Sequence, residues 1–282
     1  MERIDVPSFW EFKGAGDYTD QKLLMSSPFP VTTIIILYLW FVLKFGPEFM
    51  RQRKPYNVEK LLVVYNNLQV AVSFYIFYLG YQFMSKYGMW NKKCLCEKDE
   101  TKILILDGSH YYFVAKVVEL MDTIFFVLRK NQRQVTFLHV YHHTMMVLVT
   151  WSVVKYSRTD GTVFLGTINS FVHIIMYGYY CLSVFPRITK YLWWKKYITA
   201  MQLVQFVMMF LHIIINHVSS ECQPAHGLLF VVCFNTVLFL YLFGDFYIKS
   251  YLKNNAKQII NAGKSMNDKG AINYGKMTVK MQ

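Results

Sequence analysis

The sequence predicts an all-α, polytopic membrane protein with seven transmembrane helices, and three observations carry that expectation. Apolar residues make up 54% of the 282 residues and aromatics 18%, which is richer than an ordinary soluble domain. Seven apolar runs are long enough, at about 1.5 Å of helix per residue against a hydrocarbon core of about 30 Å, to cross a bilayer. The Lys and Arg residues behind the net charge of +13 gather mainly in the connections between those runs and in the tail. That placement suits topology and anionic head groups or substrates, and argues against a nucleic-acid partner.

The runs are Phe29–Phe45, Leu61–Met84, Ile103–Leu128, Val135–Val154, Thr162–Phe185, Tyr197–Val218 and Gly227–Ile248. Met1 to Lys22 carries mixed charge and lacks an apolar signal-peptide core, so the first run is expected to direct insertion. The third run is the least apolar, with Asp107, His110, Lys116, Glu119 and Asp122, and must face protein or water. Roughly twice as many Lys and Arg fall on the side opposite the N-terminus, which makes that side cytosolic by the positive-inside rule. The expected organisation is a lumenal segment 1–28, a membrane domain 29–251 and a polar, disordered cytosolic tail 252–282. Of the five cysteines, Cys94, Cys96 and Cys222 fall on the oxidising side. A disulfide from Cys222 to Cys94 or Cys96 is expected, with free thiols as the alternative.

The chain is organised around His139-x-x-His142-His143 at the start of the fourth run, three imidazoles within a roughly 100° arc of one helical face. Lys116, Glu119, Asp122 and Thr123 form a stripe on the third run, where Lys116 and Glu119 are spaced to pair. The fifth run aligns Asn169, His173, Met176, Tyr177 and Tyr180, and the sixth aligns Thr199, Gln202, Gln205, Met209, His212 and Asn216. Each stripe has a plainer explanation: an ion pair that fixes packing, a satisfied histidine, or interhelical hydrogen bonds. Four consecutive polar faces exceed what helix association requires. A closed bundle around a polar reaction chamber near the cytosolic side satisfies them together.

A His-x-x-His-His box resembles those of membrane di-iron desaturases and hydroxylases. Here, however, His110, His173, His212, His217 and His226 stand singly, and one box holds a metal poorly. No metal or redox cofactor is expected. A seven-helix receptor or transporter explains the topology but not the dense boxes. Lys116-x-x-Glu119-x-x-Asp122-Thr123, His139-x-x-His142-His143, His173-x-x-Met176-Tyr177-x-Tyr179-Tyr180 and Thr199-x-x-Gln202-x-x-Gln205 resemble, in order, four motifs of the very-long-chain fatty acid elongases. These are membrane 3-oxoacyl-CoA synthases of the endoplasmic reticulum. Asn169, Arg53-Lys54-Pro55 and Leu192-Trp193-Trp194-Lys195-Lys196-Tyr197 also resemble family segments.

That resemblance implies an inverted barrel of spans 2 to 7 around an acyl tunnel closed at its lumenal end. It also implies condensation of acyl-CoA with malonyl-CoA through an acyl-imidazole on His142. His173 is then the best candidate to contact the reacting carbonyl, with His139, His143, Asn169, Tyr177, Tyr180, Gln202 and Gln205 as neighbours. Glu119 and Asp122 would orient histidines, and Lys116 would pair with a carboxylate or with substrate. Lys54, Arg129, Lys130, Arg133, Lys195 and Lys196 lie where CoA phosphates would arrive, although topology alone would put them there. Membrane lipid and the reductase, dehydratase and enoyl reductase of an elongation cycle are the implied partners, with self-association left open. The segment 134–138 looks closer to the branch handling saturated and monounsaturated chains. Thr144-Met145-Met146-Val147 departs from the Pro-Trp pairing of close relatives, and the loop around Cys94 and Cys96 looks shortened.

Overall fold

The computed structural model describes residues 17–90, 95, 99–157, 159–222 and 224–253, and among these there are helices but no strands. Seven long helices carry the fold: α1 Pro28–Met50, α2 Glu59–Tyr87, α3 Asp99–Leu128, α4 Phe137–Tyr156, α5 Gly161–Ser183, α6 Lys195–Ser219 and α7 His226–Leu252. The two ends of the bundle differ in charge. The basic end is where α2, α4 and α6 begin and α1, α3, α5 and α7 finish.

Local signals in the sequence set several boundaries. Pro28 sits in the first turn of α1 after an extended Ser27, where its missing N–H costs nothing. Gly88 stops α2 with φ of 91°, a conformation that a side chain resists. Thr136 caps α4, its hydroxyl accepting from the His139 N–H at 3.2 Å. The histidine box therefore occupies the first two turns of that helix.

Five helices, α1, α2, α5, α6 and α7, are long and apolar enough to cross a membrane. Run length predicts seven, and the difference lies in α3 and α4. The other two, α3 with 30 residues and α4 with 20, have the length but carry the polar boxes. Their polar groups turn inward, with Lys116, Glu119, Thr123 and His143 all buried. Large apolar side chains such as Ile36, Leu68, Leu211 and Phe230 stand outward and exposed, the reverse of a soluble protein and the arrangement a lipid surroundings requires.

The helices touch in the order α2, α3, α4, α7, α6, α5 and back to α2, while α1 packs outside against α3 and α4. The α2–α5 pair makes the most extensive contact. Gly80 permits it, since a Cβ there would collide with the Thr167 hydroxyl. Residues 18–25 fasten to the opposite end of the bundle. Tyr18 donates to Asp107 at 2.8 Å and Lys22 pairs with the same carboxylate at 2.8 Å. That hydrogen bond raises the Lys22 pKa above its ordinary value. The backbone carbonyl of Leu24 accepts from Trp151 at 3.0 Å and that of Met25 from Lys155 at 3.0 Å, while His110 Nε2 lies 3.0 Å from the Leu23 carbonyl. Lys155 also pairs with Asp20.

The N-terminal residues 1–16, most of the α2–α3 loop and the tail from residue 254 lie outside the described residues. Cys222 is disulfide-bonded, whereas Cys181 and Cys233 are free thiols. Cys94 and Cys96, the expected alternatives for its partner, fall outside the described residues.

Candidate active site

The polar faces of α3 and α5 meet inside the ring. Lys116 Nζ donates to Glu119 Oε1 at 2.9 Å, Glu119 Oε2 at 3.0 Å and Asn169 Oδ1 at 2.8 Å. His173 Nε2 stands 3.4 Å from the same ammonium. Its Nδ1 is 3.1 Å from Glu119 Oε1, within ion-pair distance but without the geometry of a hydrogen bond. Tyr112 donates to Asn169 Oδ1 at 2.7 Å, and its ring centroid lies 4.8 Å from the ammonium. The Lys116–Glu119 spacing of three residues thus becomes a buried, bidentate pair that uses a single turn of α3. Such a pair is tolerated in an interior only when its remaining donors and acceptors are also engaged, and Asn169 supplies that partner.

Asp122 does not reach a histidine. It accepts from Tyr177 at 2.7 Å, and Tyr177 is completely buried against Tyr65 of α2 at a ring separation of 6.2 Å. Thr123 turns the other way and shares a 2.8 Å hydrogen bond with Tyr38 of α1. Glu119 is the carboxylate beside a histidine; Asp122 positions a tyrosine.

The three imidazoles of α4 divide between two neighbours. The His139 and His143 rings lie 4.3 Å apart, with His139 also against Phe126 of α3. His142 turns toward α7, with its ring 4.7 Å from Phe239 and 5.8 Å from Phe243. It remains within electrostatic reach of Lys116, His173 and Glu119. Buried nitrogens or oxygens without a hydrogen-bond partner recur among the motif residues: His139 Nε2, His142 Nδ1, His173 Nδ1 and Gln205 Oε1. Buried polar groups are ordinarily satisfied, so these orphaned atoms single out the motif residues as site candidates.

Below this cluster, toward the opposite end, lies an apolar cavity of about 150 Å³. Its wall includes Tyr112, which bonds Asn169, and Phe239, which packs on His142, as well as Gly80, Met146, Phe206 and Met209. Tyr112 and Phe239 thus stand between the polar cluster and the apolar cavity.

A family model described as "ELO: GNS1/SUR4 family" matches residues 23–259. The chain belongs to the ELO family. It is 38% identical to "Very long chain fatty acid elongase 7" of Drosophila melanogaster over 83% of this chain and 72% of that protein. With "Very long chain fatty acid elongase 4" of Macaca mulatta the identity is 37% over 86% of this chain and 77% of that protein. The rat protein "Very long chain fatty acid elongase 7" is 38% identical over 86% of this chain and 87% of that protein. The four ordered motifs thus identified the family correctly.

In this ELO chain, Lys116, Glu119, Asn169 and His173 form one hydrogen-bonded and ion-paired cluster, and His139, His142 and His143 border it. Gln202 donates to the Met176 sulfur at 3.5 Å, while Gln205 is buried. Tyr180 is 36% exposed as a residue, while its ring packs edge-on against Tyr177 at a centroid separation of 5.9 Å. Lys54, Arg129, Arg133, Lys195 and Lys196 are exposed at the basic end, away from the buried cluster. Lys130, with φ of 55°, donates to the Arg51 carbonyl at 3.1 Å. Residues missed by the sequence reading include Tyr112, Tyr65 and Asn235, the last accepting from Tyr141 at 3.0 Å. Asn235 had a readable signal, an amide inside an otherwise apolar run. The buried Asn66, Gln69 and Ser73 of α2 had a weaker one in their helical spacing.

Proposed function

We propose that this ELO chain is a very-long-chain 3-oxoacyl-CoA synthase that condenses long-chain acyl-CoA with malonyl-CoA to give 3-oxoacyl-CoA, CO2 and CoA. The observation that supports it best is His142, an imidazole placed between a buried polar cluster and an apolar cavity of chain-like character. The relatives are named as very long chain fatty acid elongases, and the proposed substrates follow from the family resemblance.

A neutral His142 attacks the acyl-CoA thioester. The N–C bond forms, the C–S bond breaks, and CoA leaves as the thiol with the proton given up by the ring. The acyl-imidazole retains enough reactivity to pass its acyl group onward. Malonyl-CoA then loses CO2, and its enolate carbon attacks the acyl carbonyl. The C–C bond forms, the C–N bond breaks, and the imidazole regains a proton from solvent. His173, held between Lys116 and Glu119, faces the developing oxyanion, with Asn169 fixing the ammonium beside it. Glu119 is the orienting carboxylate, and Asp122 holds Tyr177 in the wall. The chemistry needs no metal or redox cofactor.

The neighbour order α2, α3, α4, α7, α6, α5 supports a six-helix inverted barrel, with α3 and α4 completing seven spans because their polar residues face its interior. In this reading the protein spans the endoplasmic reticulum membrane with its N-terminus lumenal. The basic end and its tail are cytosolic, and Lys54, Arg129, Arg133, Lys195 and Lys196 attract CoA phosphates. Substrates are saturated or monounsaturated chains, and the products pass to the other enzymes of an elongation cycle. The deciding experiment supplies the purified protein with acyl-CoAs of graded length and malonyl-CoA labelled at its free carboxylate. Labelled CO2 and a 3-oxoacyl product, both dependent on acyl-CoA, are expected. Their absence across the panel from a folded, monodisperse sample refutes the proposal.

A further inference from the structure

A second, smaller cavity of about 50 Å³ lies beyond the apolar one, at the end of the bundle away from the basic loops. The two share Val153, Thr162, Leu165 and Val232 in their walls, so the second continues the first. Its surface, like that of the first, is mostly apolar, but Ser157, Thr159, His212, Asn216 and His217 bring polar side chains to its wall. His212 is fixed there from two sides. Its ring stacks on Phe164 at 4.2 Å, and its Nε2 lies 3.2 Å from the Gly161 carbonyl. The residue is only 2% exposed, and its Nδ1 has no hydrogen-bond partner. Gly161 is needed for this arrangement, because a Cβ there would run into the Asn216 amide.

A buried imidazole nitrogen without a partner is costly beside hydrocarbon and is satisfied by a neutral hydroxyl. We propose that this pocket is a subsite for a hydroxyl group at the far end of the acyl chain, bonded by His212 Nδ1, so that the protein accepts ω-hydroxylated acyl-CoAs in preference to plain ones of the same length. The inference rests on the acyl-CoA reading above. A neutral hydroxyl fits better than a carboxylate, since among the described residues lining the pocket there is no Lys or Arg to balance a buried charge. Helix rise places Val153 about 16 Å and Ser157 about 22 Å past His142 along α4, so the preference is confined to chains that reach this far.

The test measures equilibrium binding of paired acyl-CoAs, with and without the ω-hydroxyl, to the full protein in detergent across a length series, with the matching ω-carboxylate as a further arm. Binding is read separately from turnover. The expected result is a threefold to tenfold preference for the hydroxylated chain, the size of one net hydrogen bond, appearing only at lengths that span the first cavity. His212→Phe, which keeps a ring for Phe164 to stack on, should bring the ratio to one; its melting temperature checks that it has folded. Equal affinities at every length for the wild-type protein overturn the subsite, as does a preference that survives His212→Phe in a folded variant, or a stronger preference for the carboxylate. Failure of every acyl-CoA to bind overturns the proposed function itself and the subsite with it.

Discussion

Replacing Lys116 with Met tests whether the buried pair is held together by charge. The substitution keeps much of the side-chain volume and removes the ammonium, which leaves Glu119 as a buried carboxylate that has lost its two hydrogen bonds from Nζ. Asn169 loses its donor from Lys116 while keeping Tyr112. Lys116 is 2% exposed and Glu119 is 3% exposed, so water does not readily replace the lost partner. Removing one member of such a pair costs about 3–5 kcal/mol. Lys116→Met combined with Glu119→Gln leaves no uncompensated charge and should recover at least half of that loss. The assay is a double-mutant cycle of unfolding free energies in detergent. A single-variant cost below about 1 kcal/mol, or a double variant no better than Lys116→Met, would refute the reasoning. The second outcome would assign the cost to packing of the lysine stem.

His142→Ala should eliminate the acylated enzyme seen by intact mass after incubation with acyl-CoA alone, and an adduct at the wild-type level would remove His142 as nucleophile. Gly80→Ala should destabilise the α2–α5 contact by about 1–3 kcal/mol through collision with Thr167; an unchanged unfolding midpoint would contradict that close approach. Trp151→Phe deletes the donor to the Leu24 carbonyl, worth about 1 kcal/mol. The N-terminal segment should then be cleaved faster by protease while the bundle resists, and identical cleavage rates would show that the segment is held by other contacts. Alkylation before reduction should modify Cys181 and Cys233 and spare Cys222, with labelling of Cys222 in the folded, unreduced protein contradicting the bridge.

The polar residues inside the membrane were legible because each had to be paid for locally, and spacing alone brought Lys116 onto Glu119. Their partners across helices were less accessible. The same helical arc contains Glu119 and Asp122, yet one lies beside His173 and the other binds Tyr177; the choice depends on how α3 is rotated against α5. Tyr112 escaped notice because nothing in its neighbourhood of the sequence announces the amide of Asn169 it meets.

The sequence by itself determined the helical membrane class, the order of the long helices and the family. These follow from hydropathy, from helical periodicity and from residues fixed at short spacings, all of which act within one turn or one span. Only the tertiary structure decided that Asn169 completes the Lys116–Glu119 pair, that His142 packs on Phe239 as well as on His143, and that His212 and other polar side chains gather at the far end of the apolar cavity. Those outcomes depend on the rotation and depth of one helix against another, which are set by many weak contacts such as Gly80 on Thr167, and no short stretch of chain encodes them.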